Sequence, residues 1–210
     1  MATMILMGKS GSGKDTIASL LKKNGFKDIV PYTTRPKRVG EEEGVQYHFL
    51  TQDEFEKLRE NNFFIESRNY NALFGYCSYG TSYESLSTEG DNLLITTPEA
   101  YQNILTKISD KNSPYIEGLH LIPIYLDVDE RTLKERLYNR ANKETDEELK
   151  DKLMREIDRR IGTDREDFKI LDGRSEVYEI NAEDTPENIA NKIITYYNGL
   201  TKDTKEIERD

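Results

Sequence analysis

Residues 4 to 16 read Met4-Ile5-Leu6-Met7-Gly8-Lys9-Ser10-Gly11-Ser12-Gly13-Lys14-Asp15-Thr16: a short apolar run, a glycine-rich turn ending in Gly-Lys, then a helix-like sequence. A continuous apolar run bounded by a turn is the mark of a strand buried on both faces. The glycines allow the backbone to curl so that successive N–H groups converge on phosphate oxygens. The helix that follows presents its positive end, and Lys14 can reach the β and γ phosphates of a nucleotide. Gly8-x-x-x-x-Gly13-Lys14 is therefore a P-loop, with Gly8, Ser10, Gly11, Ser12, Gly13, Lys14, Asp15 and Thr16 as the expected ATP-binding set. One position departs from the usual pattern. Asp15 stands where a Ser or Thr hydroxyl ordinarily meets Mg²⁺, and Thr16 follows it.

The rest of the chain alternates strand and helix signals. Apolar strand candidates are Asp91 to Thr96, His120 to Val128 and Glu176 to Ile180, followed by helix candidates Pro98 to Ser109, Thr132 to Asn142 and Pro186 to Tyr197. This order predicts an α/β fold, a P-loop parallel sheet core flanked by helices, with ligands beyond the carboxyl ends of the strands. Two stretches interrupt the rhythm. Residues 33–90 mix short strands (Gln46 to Leu50, Phe63 to Ser67) with a helix (Asp53 to Glu60) and read as an inserted mixed α+β subdomain. Residues 141–167 are almost wholly charged, with Leu149, Leu153, Ile157 and Ile161 at helical spacing, which suits a charged helical hairpin acting as a lid. Residues 1–200 are expected to form one domain and 201–210 a frayed polar tail.

Composition narrows the function classes. Of 210 residues, 35% are apolar and 33% charged, a balance expected of a soluble globular protein. No apolar run approaches membrane-spanning length and the N-terminal strand lacks a signal-peptide layout, so a cytoplasmic protein without membrane partners is expected. The net charge of −10 argues against a general nucleic-acid surface. Basic residues are nevertheless concentrated locally, at Arg35, Lys37 and Arg38 and again at Arg155, Arg159, Arg160 and Arg165. The single cysteine, Cys77, excludes an intramolecular disulfide framework and reads as a buried bystander. A monomer or a homodimer is expected.

Given ATP in the P-loop, the inserted subdomain is the natural place for an acceptor. Arg35 and Arg38 offer two guanidinium forks for a phosphate, and Tyr47 and Tyr79 can add hydroxyl donors. Glu66, at the end of the apolar run Phe63-Phe64-Ile65, can accept from a base carrying paired N–H donors.

At this point the residues reach a family. Thr33-Thr34-Arg35-Pro36-Lys37-Arg38-Val39-Gly40-Glu41-Glu42-Glu43-Gly44-Val45-Gln46-Tyr47-His48-Phe49 resembles the Thr-Thr-Arg-x-x-Arg-x-Gly-Glu-x-x-Gly-x-x-Tyr-x-Phe signature of guanylate kinases. Phe64-Ile65-Glu66 resembles the family's Phe-Leu/Ile-Glu, and Tyr79-Gly80-Thr81-Ser82 its Tyr-Gly-Thr/Ser turn. Leu133-x-x-Arg136-Leu137-x-x-Arg140 is similar to the helix leading into the lid, and Arg159-Arg160 with Asp164-Arg165-Glu166-x-Phe168 to the returning lid segment. Asn181 stands where a family Asn follows the last core strand.

The resemblance implies ATP-dependent phosphorylation of GMP to GDP, with dGMP as a further acceptor, and a nucleoside-monophosphate-binding role for the inserted subdomain. It implies that Arg35, Arg38, Tyr47 and Tyr79 grip the GMP phosphate while Glu66 and Thr81 contact the base. Lys14 and Mg²⁺ would hold the ATP phosphates, Arg136 would lie at the ATP side, and Arg140, Arg160 and Arg165 would close over the transferring group. No general base is needed, because a monophosphate with a second pKa near about 6 is already an adequate nucleophile at neutral pH. His48 and His120 are accordingly read as structural.

The sequence also departs from the family. Pro31-Tyr32 replaces a Ser before the Thr-Thr-Arg, and the interval between Glu66 and Tyr79 is longer than is common. Ile95-Thr96-Thr97-Pro98 stands where the family has an Asp-x-Asp pair. Asp15 is the candidate to supply, through a water, part of the metal binding those acids would give. Two other functions stay open: a kinase acting on a different nucleotide or a phosphorylated sugar, and a non-catalytic guanylate-kinase-like binding module.

Overall fold

A computed structural model describes residues 2–38, 40–72, 75–86, 90–110 and 119–207. Strand β1 (Ala2–Gly8) lies at the centre of a five-stranded sheet with β2 (Lys27–Asp28), β7 (Asp91–Ile95), β8 (His120–Asp127) and β9 (Tyr178–Asn181), in the order β2-β7-β1-β8-β9. Every pairing in this sheet is parallel. The alternation of side chains along β1 divides the core. Met4 and Leu6 face a cluster with Ile17 and Leu21 of α1 (Lys14–Lys23) and Ile189 and Ile193 of α7 (Pro186–Ile207). Ile5 and Met7 face the other cluster, with Tyr101 and Ile104 of α4 (Pro98–Ile108) and Phe168 of a 3₁₀ turn (Phe168–Leu171). Both faces are thus covered, which is why β1 and β8 read as unbroken apolar runs rather than alternating ones.

A second, four-stranded sheet, ordered β4-β3-β6-β5, occupies the insertion. It contains β3 (Tyr32–Thr33), β4 (His48–Phe49), β5 (Phe64–Ala72) and β6 (Gly75–Ser82), with α2 (Gln52–Glu60) between β4 and β5 and the short α3 (Tyr83–Leu86) after β6. Helix α2 starts where Thr51 and Glu54 form a reciprocal capping box. Among the described residues no helix is long and apolar enough to cross a membrane.

Several expectations are corrected here. Tyr79 to Ser82 is no turn; it lies inside β6, which pairs antiparallel with β5. The strand expected over Phe63 to Ser67 runs on to Ala72, so the long interval after Glu66 is spent on lengthening a hairpin. Residues 73–74 at its tip lie outside the described residues. The polar tail is largely helix: α7 continues to Ile207, with Thr201 donating to the Tyr197 carbonyl at 3.0 Å, because no proline interrupts it and Gly199 keeps a negative φ. Residues 208–210 lie outside the described residues. Helix α5 (Glu130–Ala141) begins two residues before the expected Thr132 because the Asp129 carboxylate accepts from Thr132 N at 2.9 Å and caps it.

The charged segment forms one long helix, α6 (Glu147–Asp167), antiparallel to α5. Its first turns carry surface ion pairs such as Lys152 with Glu148. Its C-terminal half is tied to the main core, since Ile157 and Ile161 are buried in the same cluster as Leu133 and Ala141. Capped by Asp146 at its start, α6 delivers its last turns against the P-loop.

Candidate active site

The turn after β1 has the shape its glycines require. Gly11 and Gly13 adopt φ of 85° and 95°, conformations that L side chains rarely take, and Ser12 N donates back to the Lys9 carbonyl at 3.1 Å. A Cβ on Gly8 would lie 2.5 Å from Ser12 Oγ, so the curl leaves no room for a side chain there. Lys14 lies across this turn, its Nζ donating to the carbonyls of Gly8 at 2.5 Å and Lys9 at 3.1 Å. Burial pulls the Lys14 ammonium below lysine's ordinary value, against the opposing charges of Asp15 and Asp164. Arg136 ties the outer side of the loop, donating to the carbonyls of Gly11 and Ser12 at 3.4 and 3.3 Å and to Ala182 at 3.3 Å. Thr16 is exposed on the first turn of α1, next to Asp15.

One acid at this loop was not legible beforehand. Asp164, near the end of α6, accepts from Ser10 N at 2.5 Å. A carboxylate oxygen there takes the place a phosphate oxygen takes in a nest of backbone N–H groups. The pair is separated by 154 residues, so only the fold reveals it.

A cleft of about 500 Å³ opens between the two sheets, lined in part by Asp15, Arg35, Arg38, Tyr47, Tyr79, Ile95 and Arg140. Arg35 is 4% exposed, stacks over the Tyr47 ring at 5.3 Å, and holds the two oxygens of Glu41 at 2.8 and 3.0 Å. Burial raises the Glu41 carboxyl, but the bonds from Arg35 and from Arg38 N outweigh it and keep it below its usual range. Burial also depresses the Arg38 guanidinium, and the like charges of Arg35 and Arg160 add to that. Arg35, Arg38 and Arg140 thus line one cleft, the arrangement that phosphate binding calls for. Tyr47 and Tyr79 meet edge-to-face at 5.9 Å on the same wall.

Not every expected residue arrives there. Arg165 points away, paired with Glu130 at 2.5 Å and 58% exposed. Glu66 is an internal acid whose side chain is 0% exposed; it accepts from Thr81 Oγ1 at 2.7 Å and from Arg68 Nη1 at 2.7 Å. The segment that stands in for the Asp-x-Asp pair starts a helix. Thr97 caps α4 and Pro98 takes its first turn, while the Thr96 hydroxyl is buried without a hydrogen-bond partner among the described residues. Sequence reasoning passed over Glu41, Arg68, Glu156 and Asp164. The two-residue spacing of Glu66 and Arg68 on one strand was the available signal for the second of these.

Glu156 is a nearly buried acid on α6. Bonds from Arg159, then Arg160, hold its carboxyl below the usual range against the opposing effect of burial. Arg160 Nε donates to Glu156 Oε1 at 3.0 Å, one turn along the helix. That contact fixes the root of the guanidinium whose charge Arg38 feels.

Comparison with known proteins agrees with this geometry. The family model described as Guanylate kinase matches residues 1–171. The guanylate kinase of Neisseria gonorrhoeae is 35% identical over 141 residues, a match covering 63% of each chain. That of Haemophilus influenzae is 30% identical over 175 residues, covering 80% of this chain and 78% of the relative. The crystal structure of guanylate kinase from Anaplasma phagocytophilum superposes with a TM-score of 0.62 at 20% identity, covering 95% of this chain and 85% of that one, and so supports the fold.

Proposed function

The chain belongs to the guanylate kinase family, and from that premise we propose that it transfers the γ phosphoryl group of ATP to GMP, giving ADP and GDP. The observation that carries the reading is the convergence of Arg35, Arg38 and Arg140 on a cleft that Asp15 of the P-loop helix also lines. The match reaches 63% of the Neisseria gonorrhoeae enzyme's length, so the activity rests on this site as well as on the likeness. Use of dGMP is part of the same proposal.

The chemistry needs little covalent assistance. The acceptor phosphate is a nucleophile at neutral pH, and the obstacle is bringing two polyanions into line. ATP enters by displacing the Asp164 carboxylate from Ser10 N–H, and Lys14 swings from the carbonyls of Gly8 and Lys9 to the β and γ phosphates. Arg35 and Arg38, with the hydroxyls of Tyr47 and Tyr79, orient the acceptor. Glu41 and the Pro36 carbonyl hold the Arg35 guanidinium in one orientation before the phosphate arrives. Arg140 and Arg160 then neutralise charge that spreads over the transferring group in a loose transition state.

Mg²⁺ fits the residues present: Asp15 offers a hard carboxylate oxygen and Thr16 a hydroxyl beside the phosphate nest, and this ion ordinarily keeps several waters and needs only one or two carboxylates. Held there it would supply Lewis-acid charge neutralisation for the nucleotide phosphates. Asp15→Ala is expected to raise the Mg²⁺ concentration for half-maximal rate about tenfold at saturating nucleotide. A titration superimposable on that of the unaltered protein removes Asp15 from the metal's surroundings.

The function itself is tested by ADP formation from ATP and Mg²⁺ with GMP, dGMP, AMP, CMP, UMP and ribose 1,5-bisphosphate offered separately. Turnover confined to GMP and dGMP is the expected result. Turnover on another acceptor alone would reassign the substrate, and GMP binding without turnover would support a binding module.

A further inference from the structure

Asp164 brings a carboxylate to the P-loop from a distant helix, although the transfer itself calls for no acid at that place. Its oxygen accepts from Ser10 N at 2.5 Å, so the mouth of the loop is joined to the last turn of α6. The surroundings on α6 oppose an acid there. A carboxylate near a helix C-terminus meets the negative end of the helix dipole. The Asp167 carboxyl, close by, is raised by burial and then by the charges of Asp164, Glu99 and Glu166. Asp164 therefore stands among acids, with Arg159 as the favourable charge on its own helix. What else offsets them belongs to the loop: the Ser10 N–H and the Lys14 ammonium, on which the Asp164 charge acts. The place it takes is the outer end of the phosphate nest. Helix α1 begins at Lys14, so the N–H groups at its start face the phosphates nearer the nucleoside. The Lys14 Nζ, the group that meets the β and γ phosphates, lies at the Gly8 and Lys9 carbonyls, next to Ser10. Its position marks the end of the nest that a terminal phosphate reaches.

We propose that Asp164 makes the loop sense the γ phosphate: its carboxylate holds the terminal-phosphate place whenever no γ phosphate is bound, and ATP, but not ADP, expels it. This rests on the reading of the loop as the ATP site of a phosphoryl-transferring protein. A carboxylate and a terminal phosphate compete for the same N–H and the same ammonium, and two anions cannot share them. ADP ends at the β phosphate and is accommodated without disturbing the contact. ATP has to break a charge-assisted hydrogen bond, so part of its binding energy goes into moving Asp164. The consequence reaches the lid. Asp164 lies one turn beyond Arg160 on α6, and Glu156, which grips Arg160, lies one turn before it. Expulsion of the carboxylate is thus transmitted along a single helix to the guanidinium that the transfer uses. The end of α6 stays latched to the loop while there is nothing to transfer, and is freed to bring Arg160 onto the transferring group when a γ phosphate arrives. A ligand shifts such an equilibrium only by its differential affinity for the two states, and here the difference is one phosphoryl group.

The test is calorimetric binding of ADP and of the β,γ-imido analogue of ATP, each with Mg²⁺, to the full chain, unaltered and as Asp164→Ala and Asp164→Asn. Alanine removes the anion, and because it also relieves the C-terminal end of α6 of a negative charge, the helix is kept. In Asp164→Ala the imido analogue is expected to bind about tenfold more tightly, while the affinity for ADP changes by less than about twofold. Asp164→Asn keeps an acceptor of the same shape and loses the charge, and most of the same gain is expected, since the charge is what a phosphate cannot approach. A residue that merely supports the shape of the loop would move both nucleotides together, so equal changes for ADP and the analogue, or none, overturn the proposal. Weaker binding of the analogue in Asp164→Ala overturns it as well, because the carboxylate would then contribute to the ATP site instead of competing for it. The measurement needs no acceptor, so a protein that fails to turn over GMP yet shows the expected change in the ratio of affinities loses the kinase reading and keeps the sensor. Failure of the unaltered protein to bind either nucleotide overturns both.

Discussion

Lys14→Ala is expected to lower kcat/KM for ATP by about 10³-fold while leaving the thermal unfolding transition nearly in place. The ammonium rests on two carbonyls of its own loop, at 2.5 and 3.1 Å, and is the cation at the phosphate nest that can follow the γ phosphate. Arg136 is committed to the outer carbonyls of the loop and cannot substitute. The loop's shape depends on the glycine conformations and on Arg136, so losing the lysine removes charge without collapsing the turn. A second signature follows from the same residue. Burial pulls the Lys14 ammonium below the usual 10.5 despite Asp15 and Asp164, so the cation is lost earlier on the alkaline side than an exposed lysine would be. Because kcat/KM reports the free enzyme, its alkaline limb is expected to begin below that value and to be absent from Lys14→Arg. Steady-state rates across pH check both points, and an alanine variant within tenfold of the unaltered protein would refute the role.

The extent to which this site could be read in advance follows from how local each of its contacts is. The P-loop was legible because its glycines and lysine are contiguous and because β1, buried on both faces, leaves an unbroken apolar run. Strand β6 was not: Tyr76-Cys77-Ser78-Tyr79-Gly80 has no clean alternation and carries a glycine in its interior. That glycine has a packing reason, since a Cβ at Gly80 would meet the Phe64 ring at 2.8 Å. Arg35 and Arg38 were legible as phosphate ligands, but the hold of Glu41 on Arg35 was not, because it depends on a loop folding back over six residues. Asp164 and Ser10 meet only when α6 docks on the core through Ile157 and Ile161, apolar positions whose spacing announced a helix but not its destination. The helical continuation beyond Thr201 escaped notice for a different reason: a polar composition that suits a tail also suits an exposed helix.

The lid arginines separate by the same logic, and Arg160→Ala is expected to reduce kcat by about 10³-fold with a much smaller change in KM for GMP. Of the three expected from sequence, Arg165 is paired with Glu130 on the outside, and Arg140 lines the cleft from the end of α5. Arg160 is the one that acts on Arg38 from α6, and its Nε is held by the nearly buried Glu156. A guanidinium fixed at its root by a carboxylate keeps its outer donors free while losing the rotamer freedom that closure would otherwise have to freeze out. Positioned this way it contributes most when charge spreads over the transferring group, which places its effect on kcat rather than on ground-state binding. Glu156→Gln supplies the internal control: the chain keeps a hydrogen-bond acceptor of the same shape, Arg160 remains present, and the expected fall in kcat is about tenfold. Arg165→Ala, by contrast, should leave kcat within about twofold, since it removes an exposed ion pair worth little. Rapid-quench measurement of the phosphoryl-transfer step in the three variants decides among them. A loss in Arg165→Ala equal to that in Arg160→Ala would move the transition-state contact to the outer end of α6.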